Sequence, residues 1–162
     1  MPCQPDEVTP TEHFYRRLLA LSSCDHLQPL LDDALRLIVE ITAARLVYIE
    51  IYEADDHPNE AAFWRAHQCS STDAATIRDS ISRGIIGNAL AEGRTTRTSS
   101  ALNDERFKDL GSVRRNEIEA VLCAPVGIEF PVGAIYLQGR PGTGSFSEAD
   151  EERVEGRVPI VV

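Results

Sequence analysis

The chain has 162 residues, 43% of them hydrophobic, and a formal net charge of -10. That is enough for one domain with its own core, and the negative balance argues against a nucleic-acid surface, which needs clustered cations. Four widely spaced cysteines (Cys3, Cys24, Cys69, Cys123) form no C-x-x-C pair, and no apolar run approaches the roughly 18 residues of a membrane span. These features predict a reduced, cytoplasmic domain with no membrane partner.

Residues 1–8 hold two prolines and read as a disordered tail. Thr9, Pro10 and Glu12 give a helix start, followed by a stripe of Phe14, Tyr15, Leu18 and Leu21. Asp25 and Gln28 cap a second helix, in which Leu27, Leu30, Leu31, Ala34, Leu35, Ile38 and Ile41 recur at helical spacing. Residues 44–52 alternate as a strand, with Val47, Ile49 and Ile51 on one face and Leu46, Tyr48, Glu50 and Tyr52 on the other. Both faces are largely apolar or aromatic, which predicts a central strand.

A turn at 54–59 leads to a hairpin partner over 61–69 carrying Phe63 and Trp64, and a weaker strand is expected over 76–81. Ser82 then caps a short helix with Ile85, Ile86, Ala89 and Leu90 inward, and Gly93 stands where a C′ glycine belongs. Residues 95–116 are long, polar and poorly periodic, beginning with a small strand. Phe107, Leu110 and Val113 are anchors a disordered linker has no use for, so this stretch reads as an ordered binding segment. Two apolar strands at 119–126 and 132–138 flank a turn bracketed by Gly127 and Pro131, and Ser147 with Asp150 caps a last helix that stops early near Gly156 and Pro159. The order describes an α+β domain on an antiparallel sheet.

In this order, Ser82-x-Gly84-Ile85-Ile86, Asp104-Glu105-Arg106-Phe107, Ser112-Val113, Val121-Leu122-Cys123-Ala124-Pro125, Gly133-x-Ile135-Tyr136-Leu137 and Phe146-Ser147-x-x-Asp150 resemble a GAF domain. The resemblance is strongest to the sensory GAF domains ahead of the ATPase module in sigma-54-dependent transcriptional activators. It covers residues 9–155, leaving 156–162 as the start of a linker to a downstream domain. It implies a six-stranded antiparallel sheet with a helical bundle on one face and a ligand pocket, loops and short helices on the other. It also implies sensing rather than catalysis, a small-molecule effector, homodimerisation through terminal helices, and a covalently attached output domain in a bacterial signalling protein.

The resemblance names no cofactor. The cyclic-nucleotide signature of the family has its letters in another order at Asn103-Asp104-Glu105-Arg106-Phe107. Bilin attachment needs a cysteine beside a histidine, and His67 near Cys69 is the nearest approach; His67 is also the single strand-borne candidate for a haem ligand. The sulfoxide reductases of this fold use a cysteine where this chain has Gly84-Ile85-Ile86-Gly87, so their nucleophile is missing.

Candidate ligand-binding residues are Tyr48, Trp64, Arg97, Asp104, Phe107, Cys123 and Tyr136. The aromatic residues suit an apolar pocket with polar handles, and Arg97 with Arg106 suits an anionic ligand. Core packing explains the aromatics and Cys123 as readily, helix capping explains Asp104, and surface ion pairing explains the arginines. Three functions follow: a ligand sensor with 95–116 as its lid, a ligand-free dimerisation or protein-interaction module, and a small reductase lacking its thiol.

Overall fold

The computed structural model describes residues 27–52, 63–68, 81–127, 131–139 and 144–157. The expected helix over 9–21, the turn at 54–59 and all of the expected 76–81 strand except Ile81 lie outside them, as do Cys3, Cys24 and Cys69. In chain order the elements are α1 (Leu27–Thr42), β1 (Leu46–Ile51), β2 (Phe63–Gln68), α2 (Arg83–Glu92), β3 (Thr96–Thr98), α3 (Gly111–Arg115), β4 (Val121–Val126), β5 (Gly133–Gln138) and α4 (Glu148–Arg157).

The sheet corrects the expected six strands: among the described residues it has five, antiparallel throughout, in the order β2-β1-β5-β4-β3. Ile81, the described end of the expected sixth, is a bend just before the cap of α2. β1 is interior, as its two apolar faces predict, and β5 takes the centre. The last helix stops early as expected, running through Gly156 and ending at Arg157, before Pro159. Its start is as predicted: Ser147 N donates to Asp150 Oδ2 at 2.9 Å and Asp150 N to Ser147 Oγ at 3.1 Å, a reciprocal capping box.

Strand alternation sends two cores to opposite sides of the sheet. Val47, Ile49, Leu122, Ala124, Ile135 and Leu137 meet Leu31, Leu35 and Ile38 of α1 and Val154 of α4. Leu31, Leu35 and Ile38 recur at helical spacing, while Asp32, Asp33 and Arg36 turn to water. Leu46, Tyr48, Val121, Cys123, Ala134 and Tyr136 face the other way, onto Ile85, Ile86 and Ala89 of α2 and onto Phe107, Val113 and Ile118. Residues 95–116 are therefore ordered over this second face, on the apolar anchors that the sequence singles out.

Local chemistry sets the edges of α2. Ser82 Oγ accepts from Ile85 N at 3.4 Å, and Gly93, at φ 64, donates its N–H to Ala89 O. α1 ends differently: Ala43 takes φ 54 without being glycine, while Thr42 Oγ1 donates to Ile38 O at 2.6 Å and accepts from Ala44 N. At Gly133 a side chain would run into the Glu50 carbonyl, so the missing Cβ lets β5 close on β1 beside Glu50.

Candidate functional site

The face covered by α2 holds a charge. Glu50 points inward from β1 and is 0% exposed. Its Oε2 accepts from Tyr48 Oη at 2.9 Å and from Arg83 Nη1, and its Oε1 accepts from Tyr52 Oη. Arg83 is the first residue of α2, 42% exposed at its side chain, so the ion pair spans the boundary between water and core. A carboxylate so deep needs partners for its lone pairs, and two phenols and a guanidinium supply them. Burial and then the Glu50 hydrogen bond push the Tyr52 hydroxyl well above its ordinary 10.0. Burial works against the charge of Arg83, but its bond and attraction to Glu50 outweigh that and raise its pKa.

Register extends the site across the sheet. One row runs Ala66–Tyr48–Tyr136–Cys123–Thr96, and the next sets Trp64 opposite Glu50 on one side and Ala134 opposite it on the other. The Tyr48 and Trp64 rings stack with centroids 5.8 Å apart. Tyr136 Oη donates to Gln138 Oε1 at 2.6 Å. Burial, first among the causes, pushes both the Tyr136 hydroxyl and the Cys123 thiol far up, so neither ionises near neutrality. The cover is tied down at two further points: Ser82 Oγ lies 2.9 Å from Ser112 Oγ of α3, and Thr96 Oγ1 donates to Asn88 Oδ1 at 3.2 Å.

Five of the seven predicted residues, Tyr48, Trp64, Phe107, Cys123 and Tyr136, share this one core. Arg97 does not: on β3 it faces the opposite side, where its Nε donates to Glu151 at 2.8 Å and its Nη1 to Phe146 O at 3.2 Å. Asp104 lies at the rim. Its carbonyl accepts from Phe107 N and Lys108 N, and its carboxylate takes Arg106 through Nε at 3.0 Å and Nη2 at 2.7 Å. The Arg106 bond holds the Asp104 carboxyl well below the usual carboxylate range. The Arg106 guanidinium in turn sits 4.7 Å over the Phe107 ring. His67 pairs with Val47 on the α1 side, away from the polar cluster. Glu50, Tyr52 and Arg83 are the site residues sequence reasoning missed. The available signal was a glutamate at an inward position of an otherwise apolar strand face.

Among the described residues, no group of three or more His, Cys, Asp or Glu side chains stands together as a metal would require. Nor is any described helix long and apolar enough to cross a membrane.

A family model described as GAF domain matches residues 24–156. The chain belongs to the GAF family. Members are in general sensory or regulatory modules of signalling proteins. Among solved structures, this GAF domain is similar to the GAF domain region of a putative membrane protein from Geobacter sulfurreducens PCA. That match has TM-score 0.62 at 18% identity, with 91% of this chain and 93% of that one covered. A GAF domain/HD domain protein from Geobacter sulfurreducens follows, with TM-score 0.60 at 15% identity over 81% and 86% of the two chains. The photoproduct state of GAF3 from Slr1393 of Synechocystis matches with TM-score 0.55 at 12% identity, covering 81% and 87%. At such identities the likeness is one of fold. No curated protein matches the chain.

Proposed function

We propose that this GAF domain is a non-catalytic, small-molecule-sensing module of a bacterial signalling protein. The observation that carries the reading is the buried Glu50 carboxylate, held by Tyr48, Tyr52 and the half-exposed Arg83 at the start of α2. A buried ion pair is a weak device for stability, since apolar replacement is often neutral or better. It suits recognition and switching instead. Ligand binding shifts the population of cover conformations over 95–116, and the terminal helices pass the shift to an attached output domain. A sigma-54-dependent activator, homodimeric and cytoplasmic, is the context we favour from the sequence motifs. The Cys123 thiol, buried and held protonated, is unfit as a nucleophile, which supports a non-enzymatic role. Ion pairs of Arg94 with Glu92, Arg97 with Glu151, Arg106 with Asp104 and Arg114 with Asp109 leave these arginines poorly placed for nucleic-acid phosphates.

One observation favours a second reading, a ligand-free interaction module: Tyr48, Phe107, Cys123 and Tyr136 are all packed to 1% exposure or less. Native mass spectrometry of the unrefolded protein separates the two. A stoichiometric bound mass, lost in Glu50→Gln, is the expected result. A homodimer without adduct, whose melting temperature no small molecule shifts, overturns the sensor in favour of the interaction module.

A further inference from the structure

Arg83 stands in an awkward place for its own helix. As the first residue of α2 it brings a positive charge to the positive end of the helix dipole, and no acidic residue stands in that first turn to offset it. What holds its guanidinium there is Glu50. The carboxylate, by contrast, is fixed: it is fully buried on an interior strand and gripped by Tyr48 and Tyr52. Aromatic rings adjoin it, since Trp64 is its register partner across β1 and β2 and stacks on Tyr48. A buried carboxylate beside aromatic faces is the chemistry that recognises a cation. An overall charge of -10 draws cations to the molecule.

We propose that Arg83 is a built-in surrogate ligand, and that the site takes a small organic cation of the guanidinium or ammonium class in its place. This rests on the sensor reading and names its ligand class. Exchange conserves charge at Glu50, and Arg83, already 42% exposed, swings into water with little further desolvation to undo. The consequence reaches the cover. Arg83 adjoins Ser82, which caps α2 and shares a hydrogen bond with Ser112 of α3. Loss of the Arg83 tether therefore loosens the start of α2 and, through Ser112, the segment above it.

The test is a titration of Arg83→Ala with methylguanidinium chloride, against sodium chloride as the ionic-strength control. Trp64, the single tryptophan of the chain, reports by its fluorescence. If Arg83 fills the site nine times in ten, its removal tightens apparent binding about tenfold. We expect a saturable response at about one-tenth the concentration the unmodified chain requires, abolished in Arg83→Ala/Glu50→Gln. Equal concentration dependence with and without Arg83, a response that survives Glu50→Gln, or none in a folded variant overturns the proposal. Should Arg83→Ala fail to fold, hydrogen exchange in the first turn of α2 of the unmodified chain decides. Faster exchange on adding methylguanidinium supports exchange of the cation, and unchanged exchange overturns it. A neutral or anionic molecule retained in native mass spectrometry overturns the cation class while the sensor stands. Silence in both experiments overturns both.

Discussion

On the α1–α4 side of the sheet, the layer between helix and strand is built from Leu, Ile, Val, Ala and Phe146, and the buried polar groups Thr42 and Asp150 are spent on helix ends. On the α2 side the same strands carry Glu50, Thr96 and Thr98 into the interior beside Tyr48, Tyr136 and Cys123, under a cover in which Ser82 is buried too. The first side is held by apolar contact, which is indifferent to direction and to pH. The second depends on hydrogen bonds and one ion pair, which are directional and can be exchanged for a ligand's. One side serves as a foundation and the other as a candidate site. The difference arises from what alternates along β1: Val47 and Ile49 one way, Tyr48 and Glu50 the other.

The largest effect should come from the apolar side. Leu35→Ala, removing a side chain 1% exposed, is expected to lower unfolding free energy by about 3 kcal/mol in urea titration. A loss below about 1 kcal/mol would mean that α1 is not the foundation described. Next comes an asymmetry across the ion pair. Arg83→Met strands a buried carboxylate and should cost about 2 kcal/mol, whereas Glu50→Gln leaves a half-exposed guanidinium to water and should cost less. Reversal of that order would show that the charge on Glu50 is not sealed from solvent.

Alkali should weaken the α2 side selectively. Tyr52, Tyr136 and Cys123 hold their protons more tightly folded than unfolded, because burial raises all three above their ordinary 10.0, 10.0 and 9.0. Above about pH 9 the unfolded chain therefore binds fewer protons than the folded one, and stability falls as pH rises. Urea midpoints between about pH 8 and about pH 11 should decline, and Tyr136→Phe should flatten the decline. An unchanged slope in that variant would remove Tyr136 from the account. The smallest effect has the opposite sign. Ala43→Gly, at φ 54 after α1, should stabilise the protein by about 0.5 kcal/mol in the same titration, since glycine takes that conformation freely.

Element order was legible because its signals are local. The Ser82 cap and Gly93 stop of α2, the Ser147–Asp150 box of α4 and the alternation of β1 each lie within a few residues, and each appears where the pattern places it. The apolar anchors Phe107 and Val113 likewise revealed that 95–116 is ordered. Arg97 was harder to place: within the three-residue β3 (Thr96–Thr98), only pairing with β4 decides which side the middle residue takes. Asp104 and Arg106 looked like ligand groups because sequence does not show that they take each other, two residues apart across a tight turn.

By itself, then, the chain determined α1, α2, α4, the five described strands and the two-sided character of β1, since caps and hydrophobic period are short-range properties of the backbone. The tertiary structure decided where the charge went. Glu50 and Arg83 are 33 positions apart and meet because α2 docks over β4 and β5 with its first residue reaching Glu50; a glutamate in a strand otherwise reads as a residue facing water. Burial of its carboxylate, and the partners that make that burial tolerable, exist only once the sheet has closed and the cover has settled on it.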